Sequence, residues 1–174
     1  MKTLAVIFSL MFATAFAAIA PETVYTFKLK TLDGENFSLA KYKGKKVLVV
    51  NTASKCGYTP QYTELQQLAD LYKDKLVIVG FPANNFANQE PGGVDEIKAC
   101  TAKHGAHFLL SEKVSVKGDD MAPLFKYLTT APNPDFTGEV KWNFEKFLID
   151  ENGNLIHRFR SAVKPTSEAI TKYL

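Results

Sequence analysis

Residues 51–68, NTASKCGYTPQYTELQQL, decide the fold. Immediately before them, Val47–Val50 form an unbroken run of valine and leucine, the pattern of a strand covered on both faces. After the loop, Thr59 is placed to cap a helix and Pro60 suits its first position. Tyr62, Leu65, Leu68 or Ala69, and Tyr72 then recur at helical spacing. A buried strand, a loop bearing Cys56 and a helix start therefore follow one another. That order is also a chemical arrangement. A thiolate near a helix N-terminus is favoured by the unpaired N–H groups and the positive dipole end there, and Lys55 adds a neighbouring cation. Thr59 stands three places after Cys56, so there is no C-x-x-C pair, which argues against a dithiol reductase or disulfide isomerase of the thioredoxin kind. The absence of nearby Cys and His argues equally against a copper-delivery site.

Working outward, Tyr25–Lys30 and Asn36–Leu39 flank Asp33-Gly34 as a short hairpin, and Leu76–Phe81 reads as a second buried strand. PANNFANQEPGG (82–93) turns the chain, and a helix is expected from Val94 to about His104 with Val94, Ile97 and Cys100 along one face. Asp119 or Asp120 is expected to cap a third helix carrying Met121, Leu124, Phe125 and Leu128. Phe144–Ile149 and Leu155–Phe159, joined by DENGN (150–154), make a second hairpin before a terminal helix over Pro165–Leu174. The order βαβα, α, ββα describes one mixed α/β domain without repeats.

The 174 residues are 46% hydrophobic and 22% charged, enough for one globular core and unlike a disordered or coiled-coil chain. Lysine and arginine total 21 against 18 acids, and a net charge of +3 is too small for general nucleic-acid binding through counterion release. Two cysteines, Cys56 and Cys100, can form one bond or do chemistry, but cannot build a four-ligand zinc site. His104, His107 and His157 are not spaced as a metal set, so no metal is expected.

Lys2 is followed by an uncharged stretch from Thr3 to Ala20, Ala-rich in its second half, which reads as a secretory signal. Cleavage after Ala15-Phe16-Ala17 is favoured because the later A-x-A site would put Pro21 against the scissile bond. The expectation is a signal peptide over 1–17, a domain over 18–174, export to a periplasm, secretory lumen or the extracellular space, and no stable membrane insertion after cleavage.

Three blocks, NTASKCGYTPQYTELQQL (51–68), GFPANNFANQEPGG (80–93) and KWNFEKFLID (141–150), resemble the signature blocks of glutathione peroxidases in content and order, and the similarity extends from about Tyr25 to Leu174. The resemblance implies a thioredoxin-like fold, a central mixed β-sheet flanked by helices with an N-terminal β-hairpin, and a peroxide-reducing site without metal or organic cofactor. It implies Cys56 as the peroxidatic cysteine, with Gln89, Trp142 and Asn143 completing the family's tetrad. It implies Cys100 as the resolving cysteine of members that use thioredoxin. The chemistry of the residues agrees with this. Two amides and an indole are neutral donors, able to stabilise negative charge without quenching a sulfur nucleophile. A Cys56 sulfenic acid could then condense with Cys100 to a disulfide once the two Cα atoms come within about 7 Å, which predicts a mobile second helix.

The expected partners are a peroxide substrate and a thioredoxin-like protein or glutathione as reductant. Relatives often read PCNQFGxQEPG where this chain has Ala83 and Asn85; the missing cysteine leaves the resolving position intact. The short Thr129–Val140 segment lacks the insertion of tetrameric relatives, so the resemblance implies a monomer, and no basic cluster is assignable to a glutathione cradle. Two other readings stand beside the peroxidase: a redox relay that passes disulfides to client thiols, and a silent thioredoxin-like binding domain with one static disulfide.

Overall fold

The computed structural model describes residues 22–174, so the signal segment read at 1–17 lies outside the described residues. The chain organises around strand β3 (Lys46–Thr52), whose residues Val47 to Thr52 are all buried. It pairs in parallel with β4 (Leu76–Pro82) and antiparallel with β6 (Lys146–Ile149). β5 (Leu109–Leu110) extends the parallel side and β7 (Leu155–Phe159) the antiparallel side, giving the order β5-β4-β3-β6-β7. β1 (Leu29–Lys30) and β2 (Asn36–Phe37) form the separate N-terminal hairpin. This is the expected thioredoxin-like arrangement of a mixed sheet with helices on both faces.

The continuous apolar run in β3 is explained by its alternation. Val47 and Val49 enter one core with Leu124, Phe125 and Leu128 of α3 (Pro123–Thr130). Leu48 and Val50 enter the other with Tyr62, Leu65 and Leu68 of α1 (Gln61–Leu71) and Ile170 of α4 (Glu168–Thr171). α2 (Val94–Lys103) follows β4, and Glu96 reaches back to accept the Gly93 N–H at 2.9 Å, closing its first turn. Among the described residues no helix is long and apolar enough to cross a membrane.

Several local expectations are corrected. Thr59 does not cap α1, because its hydroxyl is used by the Cys56 loop; Pro60 occupies the cap position instead of the first helical one. Neither Asp119 nor Asp120 caps α3, which begins at Pro123 while Asp120 accepts from Ser115 at 2.9 Å. The terminal helix is only the four residues of α4. Val94 is exposed and does not continue the buried stripe of Ile97. The strand read from Phe144 begins at Lys146, since Phe144 has a left-handed φ of 63°.

Two adjacent charged residues, Glu145 just before β6 and Lys146 at its start, are buried for different reasons. Glu145 accepts from Arg158 at 3.2 Å and also pairs with Arg160, while the Arg158 guanidinium lies between the Phe136 and Phe147 rings. Lys146 on the next position donates from Nζ to the carbonyls of Ser161 at 3.0 Å and Val163 at 2.6 Å. Burial lowers its ammonium from the usual 10.5 to about 7, against a weaker opposing pull from Glu64 and Glu145. Removing the acid in Glu145→Ala leaves wholly buried Arg158 without its charge partner, and urea unfolding is expected to report a loss of about 3–5 kcal/mol. For Lys146, the unfolded chain holds the extra proton between pH 7 and 10.5, so this group's contribution to stability rises as the pH is raised through that window. The slope of urea midpoint against pH is therefore expected to be shallower in Lys146→Met than in the wild type between those limits.

Candidate active site

The pairing register brings the three sequence blocks to one end of the sheet. Thr52 is opposite Pro82 at the carboxyl ends of the parallel strands, and Val50 is opposite Lys146 at the start of β6. The loops 53–60 and 83–93 and the segment 141–145 must therefore leave the sheet at the same edge, the usual position for a site in such folds.

Cys56 sits on the first of these loops and is only 8% exposed. Its backbone N–H donates to Thr59 Oγ1 at 3.0 Å, the Thr59 hydroxyl donates to the Ala53 carbonyl at 2.9 Å, and the Thr59 N–H returns to the Cys56 carbonyl at 3.0 Å. Thr59 thus closes a ring around the cysteine. Among the described residues, the hydrogen bond to the sulfur comes from the Tyr58 N–H at 3.4 Å.

The second loop is fastened to the first. Lys55 N–H donates to the Gln89 carbonyl at 2.9 Å, and Ser54 Oγ donates to Glu90 Oε2 at 3.1 Å. Ala87 and Asn88 both have left-handed φ, 50° and 52°, a conformation costing roughly 1–2 kcal/mol per L-residue, and the Asn84 side chain accepts the Glu90 N–H at 2.9 Å to hold this reversal. Glu90 is fully buried, and burial pushes its carboxyl up while Ser54 and Lys113 pull it back.

The third segment meets the second directly. Asn143 is fully buried, and its Nδ2 donates to Gln89 Oε1 at 2.9 Å; this leaves the Gln89 Nε2 group as its donating end. Asn143 Oδ1 is buried without a partner among the described residues. Trp142 lies beside Asn143 with its ring centroid 5.6 Å from that of Phe86 and remains 37% exposed, so its indole is at the surface of the site.

The structure therefore brings Gln89, Trp142 and Asn143 together and ties them to the Cys56 loop through Lys55. Cys100 is on α2, half-buried, with Sγ 3.9 Å from the carbonyl of Ser54, two residues before Cys56. Both cysteines are free thiols. The loop-holding residues that the sequence did not single out are Asn51, Ser54 and Glu90, while Thr59 was read as a helix cap and instead closes the Cys56 loop. A polar side chain next to the end of a buried strand, as Asn51 is, was the available signal for the first. Ser54 and Glu90 carry no local signal, because their partners lie in other loops.

Comparison with known proteins bears on this arrangement. Residues 24–129 match the family model described as glutathione peroxidase. The chain is 48% identical over 146 residues to the glutathione peroxidase homolog BsaA of Staphylococcus epidermidis, covering 83% of this chain and 92% of that protein. It is 45% identical over 156 residues to the hydroperoxy fatty acid reductase gpx1 of Synechocystis sp., covering 85% and 92% respectively. Among solved structures, Trgpx in its apo form aligns with a TM-score of 0.71 at 36% identity, covering 88% of this chain and 95% of that one.

Proposed function

The chain belongs to the glutathione peroxidase family, and from that premise we propose that it is a thiol peroxidase reducing hydrogen peroxide and organic or lipid hydroperoxides at Cys56. Enzymatic, peroxidase-like activity follows from the family. The observation that supports the assignment to these residues is the Asn143–Gln89 bond at 2.9 Å together with the Gln89–Lys55 bond at 2.9 Å, which link two distant sequence segments to the loop that bears Cys56.

In the first step the Cys56 thiolate attacks the nearer peroxide oxygen. The S–O bond forms as the O–O bond breaks, and the electron pair leaves with the far oxygen, which takes a proton and departs as water or an alcohol. Charge develops on that oxygen in the transition state, where the Trp142 indole N–H and the Gln89 Nε2 group, oriented by Asn143, are suited to stabilise it. In the second step the Cys100 thiol displaces hydroxide from the Cys56 sulfenic acid, giving a disulfide and water. A dithiol reductant of thioredoxin type restores both thiols by exchange. The location of Cys100 against the Ser54 carbonyl supports its resolving role, since a modest loosening of α2 moves it along the same loop. The similarity to a hydroperoxy fatty acid reductase supports fatty acyl hydroperoxides among the substrates. Residues 1–17 act in this reading as an export signal, which places the reductant outside the cytosol.

The test is peroxide consumption by the mature protein with a thioredoxin system or glutathione supplied, run beside two variants. Cys56→Ser is expected to abolish turnover. Cys100→Ser is expected to reduce one equivalent of peroxide and then stop with a thioredoxin system. Equal steady-state rates for Cys100→Ser and wild type with that reductant would remove the resolving role.

A further inference from the structure

Asn51, the penultimate residue of β3, makes four hydrogen bonds to the segment that carries Trp142 and Asn143. Its backbone N–H donates to the Glu145 carbonyl at 3.3 Å and its carbonyl accepts from the Phe144 N–H at 2.6 Å. Its side-chain Nδ2 donates to the Trp142 carbonyl at 3.1 Å, and its Oδ1 accepts from the Glu145 N–H at 2.9 Å. The regular ladder between β3 and β6 stops one residue earlier, at Val50 and Lys146. Beyond that point the Asn51 amide acts as an added peptide group, supplying one donor and one acceptor to a strand that has begun to turn away.

The turn needs such support. Phe144 is left-handed, and this reversal sends its ring into the core, edge-on to Tyr62 at 5.3 Å between centroids. The same reversal leaves Asn143 against Gln89 and Trp142 against Phe86. Asn51 is wholly buried with both side-chain polar atoms committed to protein partners, so it does not itself meet a substrate. It stands five residues before Cys56 on the strand from which the cysteine loop departs. One strand end thus carries the nucleophile and grips the donors.

We propose that Asn51 is a positioning residue for peroxide reduction, fixing the Trp142–Phe144 turn so that the Trp142 indole, and the Gln89 amide that Asn143 orients, are held for the oxygen that leaves when Cys56 is oxidised. This rests on the peroxidase reading and assigns within it a residue outside the tetrad. Its signature is selective. Peroxide cleavage places charge on a departing oxygen and needs the donors. Alkylation of the same sulfur by iodoacetamide expels iodide, which leaves without a proton, and reports only the access and nucleophilicity of Cys56.

The experiment compares both second-order rates in Asn51→Ala and in Asn51 protein, each carrying Cys100→Ser so that one thiol reacts. Trp142, the only tryptophan, gives the fluorescence signal for the peroxide step, with remaining peroxide assayed in parallel. Misplacing a reacting group slightly costs up to about a hundredfold, so Asn51→Ala is expected to slow the peroxide step by about tenfold or more while alkylation stays within about twofold. A parallel fall in both rates, or no fall in the peroxide rate, overturns the proposal. Should Asn51→Ala fail to fold, Asn51→Ser, which retains one hydrogen-bonding group, carries the same comparison and criteria. Failure of the Cys100→Ser parent to react with peroxide while it alkylates normally would sink the peroxidase reading instead.

Discussion

The hydrogen-bonded pairing of β3 with β4 on one side and β6 on the other is the constraint from which the rest of the structure follows. A strand with neighbours on both edges and a core on both faces has little freedom of register, because a slip by one residue would exchange the residues assigned to its two faces. The position of its carboxyl end is therefore fixed, and with it the departure point of the Cys56 loop. The parallel neighbour delivers the Gln89 loop to that edge and the antiparallel neighbour delivers Trp142 and Asn143. The candidate site is a consequence of strand order more than of any local motif.

Much of this was legible in the sequence because it is written in short-range patterns. The valine and leucine run of β3, the tyrosine and leucine spacing of α1 and the turn-rich link between β6 and β7 each determine their element within a few residues. The resemblance to a family then connected blocks that no periodicity could connect. What stayed hidden was set by tertiary contacts. β5 consists of Leu109 and Leu110 alone, too short for a period, and exists because β4 offers it an edge. Thr59 has the chemistry of a helix cap, yet the Cys56 N–H and Ala53 carbonyl compete for its hydroxyl and win. Phe144 looks like a strand residue until its left-handed backbone is seen, and Asn51 gave its signal only as a polar residue ending an apolar strand.

Buried charge shows the same division. In WNFEKF two opposite charges stand side by side. Alternation along the chain sends them to separate surroundings: Glu145 to two arginines and a backbone N–H, Lys146 to two carbonyls of the chain beyond β7. Each anchors the segment bearing Trp142 and Asn143 from below, while Asn51 grips it from the strand side. On the peroxidase reading, the rigidity of the proposed donors is supplied by residues buried behind them.

The electrostatics of the site follow from what is kept away from it. A sulfur that must bear negative charge, beside an oxygen that acquires it during reaction, is best surrounded by dipoles and poorly served by nearby carboxylates. Two acids nevertheless adjoin the proposed donors in sequence, Glu90 after Gln89 and Glu145 close behind Asn143. Burial pushes the Glu90 carboxyl up while Ser54 and Lys113 pull it back, and its Oε2 accepts from Ser54. Glu145 is neutralised by Arg158 and Arg160. Each accepts hydrogen bonds that pin a loop. On the peroxidase reading, the acidic letters in NQEPG and WNFEKF are scaffold, and the amides and the indole beside them are chemistry.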